Sequence, residues 1–566
     1  MKLIRRAAAL CLCAALLLPA AFASGDGLTA DARQQDLDTL YDTLKEHHPN
    51  MFNRTPESEF LTAKAVLESR LDGLSDVDFA LELQSLVARI GDSHTTTSLP
   101  SAQAMKLFPF SLTWFDGDWV LTTVTSDHAG DLGKTVIALN GVPMDDVVAR
   151  FATFVSADNE VKLRRQTRQI IYAQDILVHL GLAEADKDLT LTVADAKGVE
   201  SQITLSALPA EEVQSAELAS LSQQRTGKPA TAYDKSKYYF SLPLDADTYY
   251  VQYNRCQEDP ELPMEDFAAQ VAKDLERGAY RQVLLDLRNN GGGSDGVIFP
   301  LLAVLEPMVR AGDIRLYGLI GETTFSSAVI NGVMIQEAGG LLAGSPTSGS
   351  VDHFGSTGSF TLPNSGLRVT CSSKWISLSG LLEAAQGYGV ESLRPDFPVE
   401  QTLSDYLAGK DTLVDTLLAQ GLDWRAPDRG EMGLTRAHLV SLLYAQAQAA
   451  GKNVAAPENR FADVLPCMYY TAAVDWAAQN GITLGGGDDS FHSAQLVTRA
   501  EAAVLLARFA DYMGVTLPQG GTAPADAPVW AQEALGRCAG LEGMAGGAAG
   551  TFTRTQGQAL VRALCG

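Results

Sequence analysis

The sequence predicts a multidomain α/β protein with a helical N-terminal part, a β-rich module, an α/β core and an all-helical tail. Three observations carry this. From "TYYVQYN" at Thr248 onward, apolar strand-like runs alternate with helical ones, as when helices cover both faces of a parallel sheet. Between Phe108 and Leu208 the pattern is short period-two alternation broken by Gly, Asn and Asp turns. From about residue 430 one segment recurs three times, the mark of stacked supersecondary units. The length of 566 residues suits about three or four such units. With 46% hydrophobic residues the chain has material for several cores. A formal net charge of −25 argues against nucleic acid or an anionic lipid surface as partner.

The elements follow in order. Lys2, Arg5 and Arg6 precede an apolar stretch and Ala21-Phe22-Ala23, so residues 1–23 read as an export signal cleaved after Ala23. That apolar run is short for a membrane span, and no later stretch is long and apolar enough for one. Two of the seven cysteines leave with the signal. The other five (Cys256, Cys371, Cys467, Cys538, Cys565) are scattered, with neither a disulfide framework nor metal-ligand spacing. Residues 29–105 form the helical part. There Ser75 and Asp78 stand in capping-box spacing, and Phe79, Leu83, Leu86, Val87 and Ile90 repeat on one face. Residues 106–208 form the β-rich module. Residues 209–236 are polar and read as a linker or loop. In the core, 237–415, "MEDFAAQVAKDLE" carries Phe267, Val271 and Leu275 on one helical face, "VLLDL" is a buried strand, and "SSAVINGVMIQEAGG" is a helix. The tail, 425–566, repeats around Arg436, Arg499 and Arg554, at spacings of 63 and 55 residues.

The chemistry centres on "VLLDLRNNGGGSDG". A buried strand running into three glycines brings bare backbone N–H groups to one spot. A phosphate loop would need Lys-Ser/Thr after the glycines, and none is there. A developing oxyanion remains, and that requires a nucleophile. "LYGLIGETTFSSAVINGVMI" offers Ser326 and Ser327 at a helix start, where free N–H groups stabilise negative charge. A serine nucleophile needs a base. His47 and His48 read as helix caps. His94 in "GDSHTTT" and His353 in "SVDHFG" both lie in loops, and on chemistry alone either serves. Asp286 and Arg288 read as fixing the glycine-rich loop.

From about residue 30 to 415 the chain resembles the tail-specific (C-terminal processing) serine peptidases, in the clan of the tricorn core protease. The motifs that carry this are "ARIGDSHT", "LLDLRNNGGG", "TTFSSA", "GSPTSGS", "LPNSGLRV" and "YGVESLRPDFPVE", in family order. The resemblance implies a ClpP/crotonase-like α/β peptidase core. Many members use a Ser–Lys dyad, whose lysine is missing from "GSPTSGSVDHFG"; Lys374 is the nearest substitute. The tricorn-like branch implies Ser326 as nucleophile, His94 as base and Glu391 orienting His94. It implies an oxyanion hole on the backbone of Gly291, Gly292 and Ser327, with no metal or cofactor. "GDLGKTVIALNGVP" looks like the end of a PDZ-like module. The tail resembles surface-layer homology (SLH) repeats, which dock secreted proteins onto cell-wall secondary polysaccharide. That implies polymer contacts by Arg436, Arg499, Arg554 and Trp476. The expected protein is an exported serine endopeptidase acting on polypeptide substrates, extracellular and cell-wall associated. The alternatives are an inactive surface scaffold and a serine hydrolase of non-peptide esters.

Overall fold

A strand that is apolar at every position needs cover on both faces. Thr248–Tyr253 and Gln282–Asp286, apolar apart from Thr248, Gln252, Gln282 and Asp286, are covered in this way in the computed structural model: every residue of both is buried. The structure describes residues 27–101, 104–229, 231, 233–420, 433–455, 461–464, 470–487, 489–518 and 520–565. The expected export signal, 1–23, and the start of the tail, up to 432, lie outside the described residues.

The two strands sit inside a six-stranded sheet. Its order is Tyr239–Pro243, Thr248–Tyr253, Gln282–Asp286, Arg315–Ile320, Leu341–Gly344, Phe397–Pro398. The first strand is antiparallel to its neighbour and all later pairings are parallel. On one face Val251, Val283 and Leu285 pack with Phe267, Val271 and Leu275 of helix Met264–Gly278 and with Leu301 and Leu305 of helix Phe299–Ala311. On the other, Tyr250, Leu284 and Tyr317 pack with Leu413, Val414 and Leu417 of helix Thr412–Gln420. Each aliphatic side chain so buried contributes about 1.5–3 kcal/mol over leaving it in water. The parallel strand ends therefore stand on a stiff platform, and the glycine-rich loop and the Ser326 turn both leave from it.

The N-terminal helices are Ala30–His47, Glu57–Glu68 and Asp76–Ala88. The capping box of Ser75 and Asp78 is formed. The five residues expected on the apolar face of the third helix are all buried. They share a core with Leu362, Leu367 and Val369, beside and within a two-stranded ribbon, His353–Thr361 against Arg368–Ile376. Thr96–Thr97 adds a third strand to that ribbon. His94 is thereby held two residues before a strand.

Seven strands build the β-rich module: Ser111–Phe115, Asp118–Thr125, Thr135–Leu139, Val142–Pro143, Leu189–Ala194, Glu200–Leu205 and Leu218–Ser220. They enclose a separate core with helices Met144–Phe151, Glu160–Ile170 and Gln174–His179. The last strand comes from the segment expected to be a linker, which also forms helix Ala210–Ser215. An edge strand needs only backbone bonds to one neighbour, so its polar residues carry no sign of it.

The tail is helical: Arg436–Ala449, Thr471–Gln479, Arg499–Met513, Gln532–Cys538 and Arg554–Cys565. The repeated Thr-Arg pair marks a helix start. Thr435 and Thr498 are N-caps, accepting from the backbone N–H of His438 and Glu501. The three copies interlock in a ring through β-bridges Thr435–Leu496, Thr498–Thr551 and Gly433–Thr553. Trp476 corrects an expectation. It is 0% exposed, wrapped by Tyr444, Phe509 and Tyr512, and so offers no face to a sugar. No helix among the described residues is long and apolar enough to cross a membrane.

Candidate active site

Strand Arg315–Ile320 ends at Gly321, and a short turn carries the chain to helix Ser327–Glu337. The turn is tied to the glycine-rich loop at two points. The Thr324 hydroxyl donates to the Leu287 carbonyl at 3.0 Å, and the Phe325 N–H donates to the Asn290 carbonyl at 3.2 Å. Ser326 then adopts φ 54°, ψ −130°, a conformation that L-residues rarely hold. A non-glycine residue kept there points to a job for its side chain.

The two serines separate by their hydroxyls. Ser327 is buried and donates to the Gly293 carbonyl at 2.7 Å. The Ser326 hydroxyl has no partner among the described residues. The glycines are where contact demands them. A Cβ on Gly292 would lie 2.8 Å from the Ser326 Cβ, and one on Gly293 would lie 2.1 Å from the Cys256 carbonyl oxygen. Of the three expected oxyanion donors, the N–H groups of Gly291 and Ser327 have no partner among the described residues. That of Gly292 donates to Asn290 Oδ1 at 2.9 Å.

His94 stacks on Phe325, the residue before Ser326, with ring centroids 4.5 Å apart. His353 stacks in turn on His94 at 5.4 Å. Both candidate bases thus converge on one place. Neither ring nitrogen of His94 has a hydrogen bond among the described residues, and the Ser326–His94 bond is not made. Catalytic bonds are often long before substrate arrives. Burial, helped by the charges of His353 and Lys162, pushes His94 down to about 3, with Asp92 opposing. The ring is therefore neutral, as a base must be.

Glu391 does not reach His94. Its carboxylate is 54% exposed and pairs with Arg394, while its backbone carbonyl accepts from the Val351 N–H at 2.8 Å. The carboxylate beside His94 is Asp92, with Oδ1 3.9 Å from Nδ1 and accepting from the His94 N–H at 2.9 Å. Asp92 also bonds His48 Nε2 at 3.1 Å and the Thr95 hydroxyl at 2.5 Å. Burial raises its pKa, but these bonds outweigh that and hold it below the ordinary range. His48, read as a cap, thus braces the base. Its sign in the sequence is the Asp two residues before His94.

Sequence reasoning also missed Lys162. It is buried, with Nζ 4.0 Å from the Phe325 ring centre, and burial pushes it down to about 8. Lys374 is exposed on the ribbon. Asp286 and Arg288 hold the glycine-rich loop as expected: Arg288 bonds Asp286 and makes a bidentate pair with Asp411 at 2.9 and 2.7 Å. A cleft of about 600 Å³ runs beside Thr96–Leu99, Gln166 and Arg368, but Ser326, His94 and His353 do not line it.

In the tail the repeated arginines are drawn inward. Arg436 donates to the Phe491 carbonyl at 2.8 Å and to Glu501 at 3.0 Å. Arg499 donates to the Gly547 carbonyl at 2.6 Å. Arg554 pairs with Glu383, which also accepts from the Thr435 hydroxyl at 2.6 Å. This last pair docks the tail against the core.

Residues 460–503 match the family model described as S-layer homology domain, the middle copy of the tail. Solved structures similar to the chain include mature CPAF complexed with lactacystin, at 12% identity and a TM-score of 0.46. The match covers 66% of this chain and 95% of that one. The photosystem II D1 C-terminal processing protease is similar at 14% identity and a TM-score of 0.32, covering 65% and 93%. The tricorn protease is similar at 14% and 0.29, covering 69% and 36%. A likeness this distant decides neither activity nor substrate. No curated protein matches the chain.

Proposed function

We propose that this chain is an exported serine endopeptidase that cleaves polypeptides through an acyl-enzyme and is held at the cell wall by its tail. The observation that carries the reading is Ser326. It sits unbonded in a strained turn at a helix start, against a glycine-rich loop and a buried neutral histidine. His94 takes the Ser326 proton as the hydroxyl attacks a peptide carbonyl. The open N–H groups of Gly291 and Ser327 receive the oxyanion. The protonated ring delivers its proton to the leaving amine, and water then releases the acyl group. Asp92 lies where it steadies the imidazolium. Glu391 would have to leave Arg394 to act on the ring. A fluorophosphonate probe is expected to label Ser326, read by peptide mass spectrometry. Labelling of Ser327 instead, or of neither serine in folded protein, would sink the assignment.

For the wall we propose a cleft of about 490 Å³ in the tail, where Arg436 and Arg508 meet His492, Gly485, Gly486 and Trp530. Trp530, 62% exposed, supplies the flat apolar face that Trp476 cannot. The Arg508 guanidinium suits the carboxylate or phosphate of an anionic glycan, Arg436 being already paired with Glu501, which also lines the cleft. Full-length Ser326→Ala protein is expected to pellet with purified cell-wall polymer. Adding Arg508→Ala and Trp530→Ala should lower the pelleted fraction severalfold. Equal pelleting with both proteins folded would leave the repeats as structure only.

A further inference from the structure

The contact between tail and core centres on one short stretch, Glu383–Gln386, and each of the three copies in the tail supplies one bond to it. Thr435 of the first copy donates its hydroxyl to Glu383 at 2.6 Å. The Ala494 carbonyl of the second accepts from Gln386 Nε2. Arg554 of the third pairs with Glu383, which is buried. Apolar packing runs across the same contact: Leu378, Leu382 and Ala385 share one core with Leu434, Ala437 and Val440 of the tail.

The other side of this stretch holds the candidate active site. The Ala384 N–H donates to Glu337 Oε1 at 2.7 Å. Glu337 ends helix Ser327–Glu337, which starts directly after Ser326 and is buried at every position. The Ser379 N–H donates to Asp352 Oδ1 at 2.9 Å, and the Asp352 N–H donates to the Gly389 carbonyl at 2.9 Å. Asp352 stands next to His353, which stacks on His94. Residues 378–389 thus form a clasp, with the nucleophile helix and the histidine pair on one side and the tail on the other. A carboxylate buried like that of Glu383 is costly once its partners leave, so clasp and tail hold each other.

The wall cleft depends on the same closure. Arg436 from the first copy, His492 and Arg508 from the second and Trp530 from the third all line it. Its lining residues also flank the clasp contacts in the chain: Arg436 follows Thr435, and His492 and Gln495 bracket Ala494. A polymer that fills the cleft therefore binds the closed arrangement of copies better than an open one. A ligand shifts an equilibrium only through such a difference in affinity.

We propose that cell-wall polymer in this cleft activates the enzyme: closing the three copies on Glu383–Gln386 holds the clasp, and with it the Ser326 helix and the His94–His353 pair. This rests on both parts of the proposed function, the peptidase and the wall cleft, and goes beyond tethering. The tail is then a sensor as well as an anchor, and the protein works fastest where it is attached.

Two rates of the full-length protein test this, each with and without purified cell-wall polymer: kcat/KM for a fluorogenic peptide, and fluorophosphonate labelling of Ser326. Saturating polymer is expected to raise both by about fivefold or more, the low end of typical coupling between two sites. The half-maximal effect should fall at the polymer concentration that pellets half of the protein. Arg508→Ala with Trp530→Ala should lose pelleting and activation together. Glu383→Gln with Arg554→Met removes the ion pair without stranding a charge; it should still pellet and no longer respond. Gln386→Ala is milder, should lose part of the response, and replaces the double variant if that one does not fold. Equal rates with and without polymer in a wild type that pellets, or a full response in the folded uncoupled variant, overturn the proposal. If no peptide is cleaved but polymer still speeds labelling, the peptidase reading falls and the coupling stands. If the wild type does not pellet, the wall reading falls and the proposal with it. If Ser326 neither labels nor cleaves, the peptidase reading and the proposal fall together.

Discussion

Ser326→Ala abolishes hydrolysis and leaves the fold intact: this is the largest effect expected of any single change. Where one nucleophile carries the reaction, its removal costs on the order of 10⁶ in kcat. The hydroxyl makes no bond that the fold uses, so alanine removes chemistry and little else. Glycine adds a second reading. Ser326 holds φ 54°, ψ −130°, and such a position costs roughly 1–3 kcal/mol for a residue with a Cβ. Glycine removes that strain but adds about 0.5–1 kcal/mol of unfolded-state entropy. The strain term wins, so Ser326→Gly should be inactive and more stable by about 1 kcal/mol, read as a higher urea midpoint. Alanine, which keeps the Cβ, should gain nothing. Turnover of casein by either variant at the wild-type rate would remove Ser326 from the mechanism. A glycine variant less stable than wild type would mean the turn is not strained.

Loss of His94 is the second large effect. A positioned general base contributes typically about 10²–10⁴-fold, so His94→Ala should lose activity on that scale. His353→Ala should lose less, because His353 Nδ1 is spent on the Val351 carbonyl, 3.2 Å away, and the ring reaches the site only by stacking on His94. Activity kept by His94→Ala but lost in Lys162→Met would hand the base role to the buried lysine. The same ring also sets an acid limit on stability. An unfolded histidine takes up a proton near pH 6.5, whereas burial holds the folded ring neutral down to about 3. Between those values the unfolded chain binds more protons, so stability falls as pH drops from about 6.5 towards 3. His438, buried and pushed down to about 4, adds in the same direction. Urea midpoints from pH 7 to 4 should fall steadily, and His94→Gln should flatten part of that slope. An unchanged slope in the folded variant would show that His94 is not buried as described.

The platform is legible in the order of the residues alone. A run such as Val283–Asp286, apolar at every position until its last residue, has no polar face to show water and must be covered twice. The capping pair Ser75 and Asp78 and the apolar face behind it follow from local geometry, and they form as spelled. So does the meeting of a glycine-rich loop with a serine at a helix start, since both leave the same end of one parallel sheet.

What local pattern could not carry is which polar groups find each other across the chain. Asp92 stands two residues before His94, so its contact with the ring is local, whereas whether the distant Glu391 reaches that ring is decided only by the fold, which leaves its carboxylate on Arg394. Lys162 stands more than 160 residues from Phe325 in a module with its own core, and only packing brings its amine over that ring. Trp476 and the three repeated arginines belong to the same lesson. Repetition marks them as important, but whether a side chain faces solvent or a neighbouring copy depends on how the copies close on one another. Here they close as a ring, with the tryptophan inside and Arg554 spent on Glu383. Periodicity fixes what a segment buries; long-range contact decides whom it touches.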